Sequence, residues 1–197
     1  MSKRIAVMIL SVTFLVVIAT LAVYTNDNRE TINVVPYIYG NTPPVSLGKI
    51  KNRNAYVHLK LRFRSDSTEG YPNVFQTAPY DLGMRMEISG STAAIVVRSL
   101  WADKGNSGLK VLVLTTALKA GQWYTLEIEA LNGAFVRAKL DGQNVADYAN
   151  AGLLMETSEL LVGGGFDASR AFRGQIENIA ITKGNFPNSL SALFNPQ

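Results

Sequence analysis

Trp123-Tyr124-Thr125-Leu126-Glu127-Ile128-Glu129-Ala130-Leu131, then Asn132-Gly133, then Ala134-Phe135-Val136-Arg137-Ala138-Lys139-Leu140 and Asp141-Gly142, is the stretch that decides how this chain folds. Tyr124, Leu126, Ile128 and Ala130 alternate with Thr125, Glu127 and Glu129, the period of a strand with one face buried and one face wet. Asn132-Gly133 between two such runs is the strongest short-range signal for a hairpin, because a tight turn needs residues that tolerate positive φ. Asp141-Gly142 repeats the signal one strand later.

The same period runs on either side. Val57, Leu59, Leu61 and Phe63 alternate with His58, Lys60, Arg62 and Arg64. Further strands are predicted at Asn73–Thr77, Met84–Ser89, Ala93–Arg98, Leu109–Leu114, Glu159–Val162 and Gly174–Thr182, with turn residues at Tyr71-Pro72-Asn73 and Ser89-Gly90-Ser91. Many short strands without a long amphipathic helix mean a sandwich or a barrel. Ala149–Glu156 is read as a short helical turn. Gly163-Gly164-Gly165 lacks the lysine and hydroxyl of a phosphate loop and is read as a tight backbone crossing. After Gly184, Phe186, Leu190, Leu193 and Phe194 suit a closing arm.

Ahead of these strands the chain changes character. Lys3 and Arg4 precede Ile5–Tyr24, a run without charge, proline or glycine. As a helix it would reach about 30 Å, the thickness of a bilayer's hydrocarbon core. Basic residues before the run keep the N-terminus in the cytoplasm and send the rest out. The run is longer than the apolar part of a cleaved signal, which favours a retained anchor over cleavage after Thr20-Leu21-Ala22 and secretion. The reading is thus a membrane segment at 1–25, a linker carrying an edge strand at 26–54, and a sandwich at 55–197. Pro36, Pro43 and Pro44 exclude a helix from the linker, and Val34–Tyr39 is its edge-strand candidate.

Composition removes several chemistries. The 197 residues include no cysteine, so disulfides, thiolate catalysis and lipidation at cysteine are excluded. His58 is the only histidine, which rules out a histidine-rich metal centre. A net charge of +4 permits acidic partners, but the basic residues are not interleaved with aromatics, and nucleic acid is not expected.

Taken together, Gly121-Gln122-Trp123-Tyr124-Thr125-Leu126-Glu127-Ile128, Asn132-Gly133 and Lys139-Leu140-Asp141-Gly142 resemble the middle of laminin-G-like domains. Leu161-Val162-Gly163-Gly164 followed by Phe172-Arg173-Gly174-Gln175-Ile176-Glu177-Asn178-Ile179 resembles that group's closing segment. Asn73–Thr77 and Arg85–Ile88 fit its first core hairpins. The resemblance covers about residues 55–182 and extends to the wider concanavalin A-like lectins and glucanases. Gln175 stands where many members carry cysteine, as in bacterial-type domains without the disulfide. The resemblance implies an all-β, two-sheet antiparallel jelly roll, here behind an N-terminal transmembrane helix. It implies binding of glycan or protein more often than catalysis, and in some members calcium at the rim.

Four sets of residues are candidates for function. Lys60, Arg62 and Arg64 point to one side of their strand, and Arg137 and Lys139 form a second such pair. Neighbouring strands would make them a cationic patch for acidic glycans, and the plainer account is a solvated sheet face. Tyr71, Tyr80 and Trp101 lie near turns with Asn73 and Asp103, a combination of rings and planar polar groups that suits neutral sugars, or rings that clamp loops to the core. Asp81 and Asp167 are oxygen donors for calcium, no other cofactor being expected, although aspartates also cap turns. Glu127 and Glu129 share a strand face but lack a third acid, so no catalytic residues are assigned. The expected function is a membrane-tethered, extracytoplasmic module that binds glycan or a protein partner. The alternatives are an assembly subunit of an envelope complex and a polysaccharide hydrolase.

Overall fold

The computed structural model describes residues 30–34, 38–39, 43–50, 55–78, 83–98, 109–131, 133–152, 159–164 and 168–185. Its strands are β1 (Glu30–Val34), β2 (Ile38–Tyr39), β3 (Val45–Lys49), β4 (Ala55–Ser65), β5 (Asn73–Ala78), β6 (Gly83–Ser89), β7 (Thr92–Arg98), β8 (Leu109–Thr115), β9 (Trp123–Leu131), β10 (Gly133–Leu140), β11 (Gln143–Gly152), β12 (Glu159–Val162) and β13 (Gly174–Asn185). A single 3-10 turn, Ala168–Arg170, precedes β13.

Two antiparallel sheets result. Sheet I runs β1-β13-β4-β9-β10-β11, with β2 also paired to β13, and sheet II runs β3-β12-β5-β6-β7-β8. The alternation read from sequence sets which side chains meet between them. Leu59, Leu61 and Phe63 of β4, Leu126 and Ile128 of β9, and Val136 of β10 face Phe75 of β5, Met86 and Ile88 of β6 and Ile95 of β7 in one core, each fully buried. Phe63 stacks on Tyr124 with ring centroids 5.6 Å apart and meets Phe172 edge-on at 6.5 Å. Burial of this shared interior is what holds the sheets face to face.

Two closing motifs acquire a physical cause. Gly174 opens β13 at φ 151°, and a Cβ there would lie 2.0 Å from the Arg64 carbonyl oxygen. No other residue lets β13 come this close to β4. A Cβ on Gly164 would lie 2.1 Å from Cγ of Pro44, so this glycine is the crossing expected of its Gly-rich run.

Several elements depart from the sequence reading. The stretch 26–54, expected as linker with one edge strand, supplies β1 and β2 to sheet I and β3 to sheet II. The Val34–Tyr39 candidate is divided between the end of β1 and β2, both on β13. Ala149–Gly152, expected in a helical turn, is the end of β11. The Asp141-Gly142 turn, with φ of 50° and 80°, folds β11 straight back along β10, and pairing with that strand overrides the weak helical preference. The predicted membrane segment and the arm after Gly184 from residue 186 onward lie outside the described residues. No helix among the described residues is long and apolar enough to cross a membrane.

Candidate ligand-binding face

The outer face of sheet II carries the densest group of polar side chains with an exposed ring beside it. A β-bulge makes it. Asn73 pairs with Glu87 and Phe75 with Met86, leaving Val74 as an extra residue. Val74 and Phe75 both turn inward, so Asn73 and Gln76, three apart, come to share the outer face. Asn73 Nδ2 donates to Gln76 Oε1 at 3.2 Å. Both residues are buried, and Asn73 Oδ1 has no hydrogen-bond partner. A buried acceptor without a partner is costly.

On β6, Arg85 and Glu87 alternate with the buried Met84, Met86 and Ile88 and so stand beside Gln76 and Asn73. Glu87 Oε2 accepts from Arg85 Nε and from Arg170 Nη1, each at 2.9 Å. Arg170 comes from the 3-10 turn before β13, and its guanidinium lies 5.2 Å from the centre of the Tyr71 ring. Tyr71 is 52% exposed, the most exposed aromatic residue among the described ones. A stacked cation holds a ring in place and leaves its other face for a ligand. The result is a platform of ring, amide, carboxylate and guanidinium suited to a polar, ring-shaped molecule.

Lys60, Arg62 and Arg64 lie on the outer face of sheet I, across the molecule from Tyr71 and Asn73. The structure therefore divides the described ones among the predicted ligand residues between two surfaces. Arg62 Nη1 donates to Glu177 Oε1 at 2.6 Å, Arg64 Nη2 is 3.9 Å from Asp66, and Lys60 stands opposite Glu127 in the ladder. The Arg62 and Arg64 guanidinium carbons lie 4.9 and 5.5 Å from the centre of the Trp123 ring. Lys139 is 3.9 Å from Glu127, and Arg137 is 3.4 Å from Asp147. Each of these cations has a carboxylate beside it, so this face is a mosaic of cross-strand pairs. An open groove of about 600 Å³ crosses it at Glu129, Arg137, Lys139, Asn144 and Asp147.

His58 has a partner that sequence did not show. Its Nε2 donates to Glu127 Oε1 at 3.0 Å from the adjacent strand. The hydrogen bond from His58 is the largest influence on Glu127 and lowers its pKa below the usual 4.5; partial burial works the other way, and Lys139 and Lys60 add to the lowering. Glu129 accepts from the Tyr56 hydroxyl at 2.9 Å. The two glutamates are thus engaged on an open sheet face.

Tyr80, Asp81, Trp101, Asp103 and Asp167 lie outside the described residues. Among the described residues no three acidic or histidine side chains form a group able to hold a metal, so calcium has no described donor set. Sequence reasoning named Tyr71 and Asn73 but missed Gln76, Arg85, Glu87 and Arg170. Arg85 and Glu87, two apart on one strand, were the available signal; the bulge and the arrival of Arg170 were not.

No family model matches the chain, and no curated protein matches it. Solved structures do. Domain 4 of AbnA, a GH43 extracellular arabinanase from Geobacillus stearothermophilus, in complex with arabinotriose, aligns with a TM-score of 0.55 at 13% identity over 87% of this chain and 91% of its own. The Ruminococcus gnavus IT-sialidase CBM40 bound to α2,3 sialyllactose aligns with a TM-score of 0.54 at 11% identity, over 85% and 98%. Mouse laminin α1 domains LG4-5 align with a TM-score of 0.51 at 18% identity over 76% of this chain. The fold is the laminin-G-like, concanavalin A-like sandwich. Such a sandwich supports many unrelated functions, and at these identities the likeness extends to architecture alone. The chain spans 41% of the laminin structure.

Proposed function

We propose that this chain is a non-catalytic recognition module, held outside the cytoplasm by its N-terminal apolar segment, that binds glycan on the outer face of sheet II. The observation that carries the reading is the platform of Tyr71, Asn73, Gln76 and Arg85, in which buried amides sit beside an exposed ring. Two similar sandwiches, the CBM40 and the arabinanase domain, were solved with a bound sugar, which supports the same use here. The test is a glycan array probed with residues 26–197. Binding to at least one glycan, weakened about tenfold by Tyr71→Ala or Gln76→Ala, is the expected result. Absence of binding to every glycan on a broad array refutes it.

One observation favours a second reading, an assembly subunit of an envelope complex. Leu109, Val111 and Val113 are 38%, 55% and 48% exposed along β8, the edge of sheet II. An apolar edge of this kind can accept a partner's strand. Copurification of a partner that is lost on Val111→Lys would favour this role. A hydrolase has less support, because Glu127 and Glu129 are bound to His58 and Tyr56 and stand on no enclosed cleft.

A further inference from the structure

Resting on the glycan-binding reading, we infer that the sheet II platform contains an anion subsite for the carboxylate of an acidic sugar, formed by Arg85 and Arg98. Arg98 pairs with Gly83 and Val96 with Arg85 across the β6–β7 ladder, so the two arginines are diagonal neighbours on the outer face. Gly83 contributes no side chain between them. The space it leaves is a shallow hollow lined by Gln76, Gly83, Arg85, Val96 and Arg98, with room for about one water-sized body, roughly 10 Å³. A carboxylate oxygen has that size.

Among the described residues the donors in the hollow are uncommitted. Arg85 gives only Nε to Glu87, and among the described residues no acceptor meets its two Nη groups. Arg98 forms no ion pair among the described residues. The floor is the buried Val96, at 2% exposure, which lowers the local polarizability and strengthens any ion contact made above it. Glu87, two residues along β6 on the side away from Gly83, holds the Arg85 guanidinium by Nε, which lowers the ordering cost of binding. On sheet I, Arg62, Arg137 and Lys139 each already stand within 4 Å of a carboxylate.

The position of the hollow fits a sugar ring that rests on the platform toward Tyr71 and carries an acidic substituent. Gln76 borders both the amide pair and the hollow, so it joins the two parts of the site. Neutral parts of the ligand would rest against Tyr71, backed by the buried amide pair, and its charge would be read by Arg85 and Arg98.

Binding of a hyaluronan oligosaccharide, whose uronates carry carboxylates, is compared by calorimetry with its carboxyl-reduced counterpart, and 3′-sialyllactose with lactose. The expected result is a preference of about tenfold or more for at least one acidic member over its neutral match. Arg98→Gln, which breaks no ion pair among the described residues, should abolish that preference while leaving affinity for the neutral member unchanged; Arg85→Lys should reduce it. Free acetate should compete with the acidic member alone. Equal binding of acid and neutral forms, with no effect of Arg98→Gln, overturns the subsite and leaves glycan recognition standing. Failure of all four to bind, with neutral glycans bound elsewhere on an array, also overturns it, whereas failure across a whole array removes the recognition reading itself.

Discussion

At the scale of single residues, the clearest consequence concerns Glu127. His58 donates to it from β4, and the carboxylate is held below its usual pKa. A carboxyl group whose folded pKa is depressed adds stability that is present above the unfolded value, near 4.5, and lost as pH falls through the lower folded value. The domain should therefore lose thermal stability as pH drops below about 4.5, and part of that loss should vanish in His58→Ala. Melting curves at pH 6 and pH 3.5 for both proteins check this, together with a carbon-detected titration of Glu127. A Glu127 that titrates alike in the two proteins contradicts the assignment. The residue scale is also where sequence reading reached least far. His58 has no acidic neighbour in the chain, and its partner arrives only through the β4–β9 register. Arg170 reaches Glu87 from a different part of the chain in the same way. Spatial pairs of this kind leave no periodic trace.

Elements were far more legible, because alternation is a local property and a buried face enforces it. β9 and β12 begin and end at the residues predicted, and β4 through β8 fall on their predicted runs. The elements that escaped have identifiable reasons. β11 begins with Gln143-Asn144 and is rich in alanine, as an edge strand can be when only Val145, Ala146 and Tyr148 touch the core. β1, β2 and β3 are short pieces separated by prolines and lie at or beside sheet edges, where pairing, and not hydrophobic pattern, makes the strand. The bulge in β5 escaped for a related reason, since an extra residue disturbs the very period used to find strands. At the β13–β4 junction the glycine requirement gives a direct test. Gly174→Ala places its Cβ against the Arg64 carbonyl in a backbone region that suits only glycine, and should cost about 2 kcal/mol or more. Urea unfolding measures it; a change within about 0.5 kcal/mol would mean that the two strands separate easily there.

The whole molecule presents two unlike faces. Sheet I carries cross-strand charge pairs around Trp123, and sheet II holds, among the described residues, arginines with free Nη groups beside an exposed ring. The chain gave the basic stripe and the aromatic turn as separate candidates, and only the assembled sheets reveal that Lys60, Arg62 and Arg64 stand on the opposite side from Tyr71. A variant with all three stripe residues changed to glutamine should therefore bind glycan as the wild type does, within about twofold. The same array that tests Tyr71→Ala measures this. A strong loss in the triple variant would move the ligand to sheet I.

The β1–β13 ladder places the two ends of the sandwich together. Glu30 lies opposite Lys183, so β1 begins and β13 ends at the same pole. Tension between those two ends would meet the Glu30–Lys183 rung first and peel β1 away one pair of hydrogen bonds at a time. A leash at the N-terminus alone pulls along β1 instead, against the body, and loads all its rungs at once. The domain is accordingly built to resist a pull on its N-terminal end alone and to yield when its two ends are drawn apart, a mechanical asymmetry that single-molecule stretching would read directly.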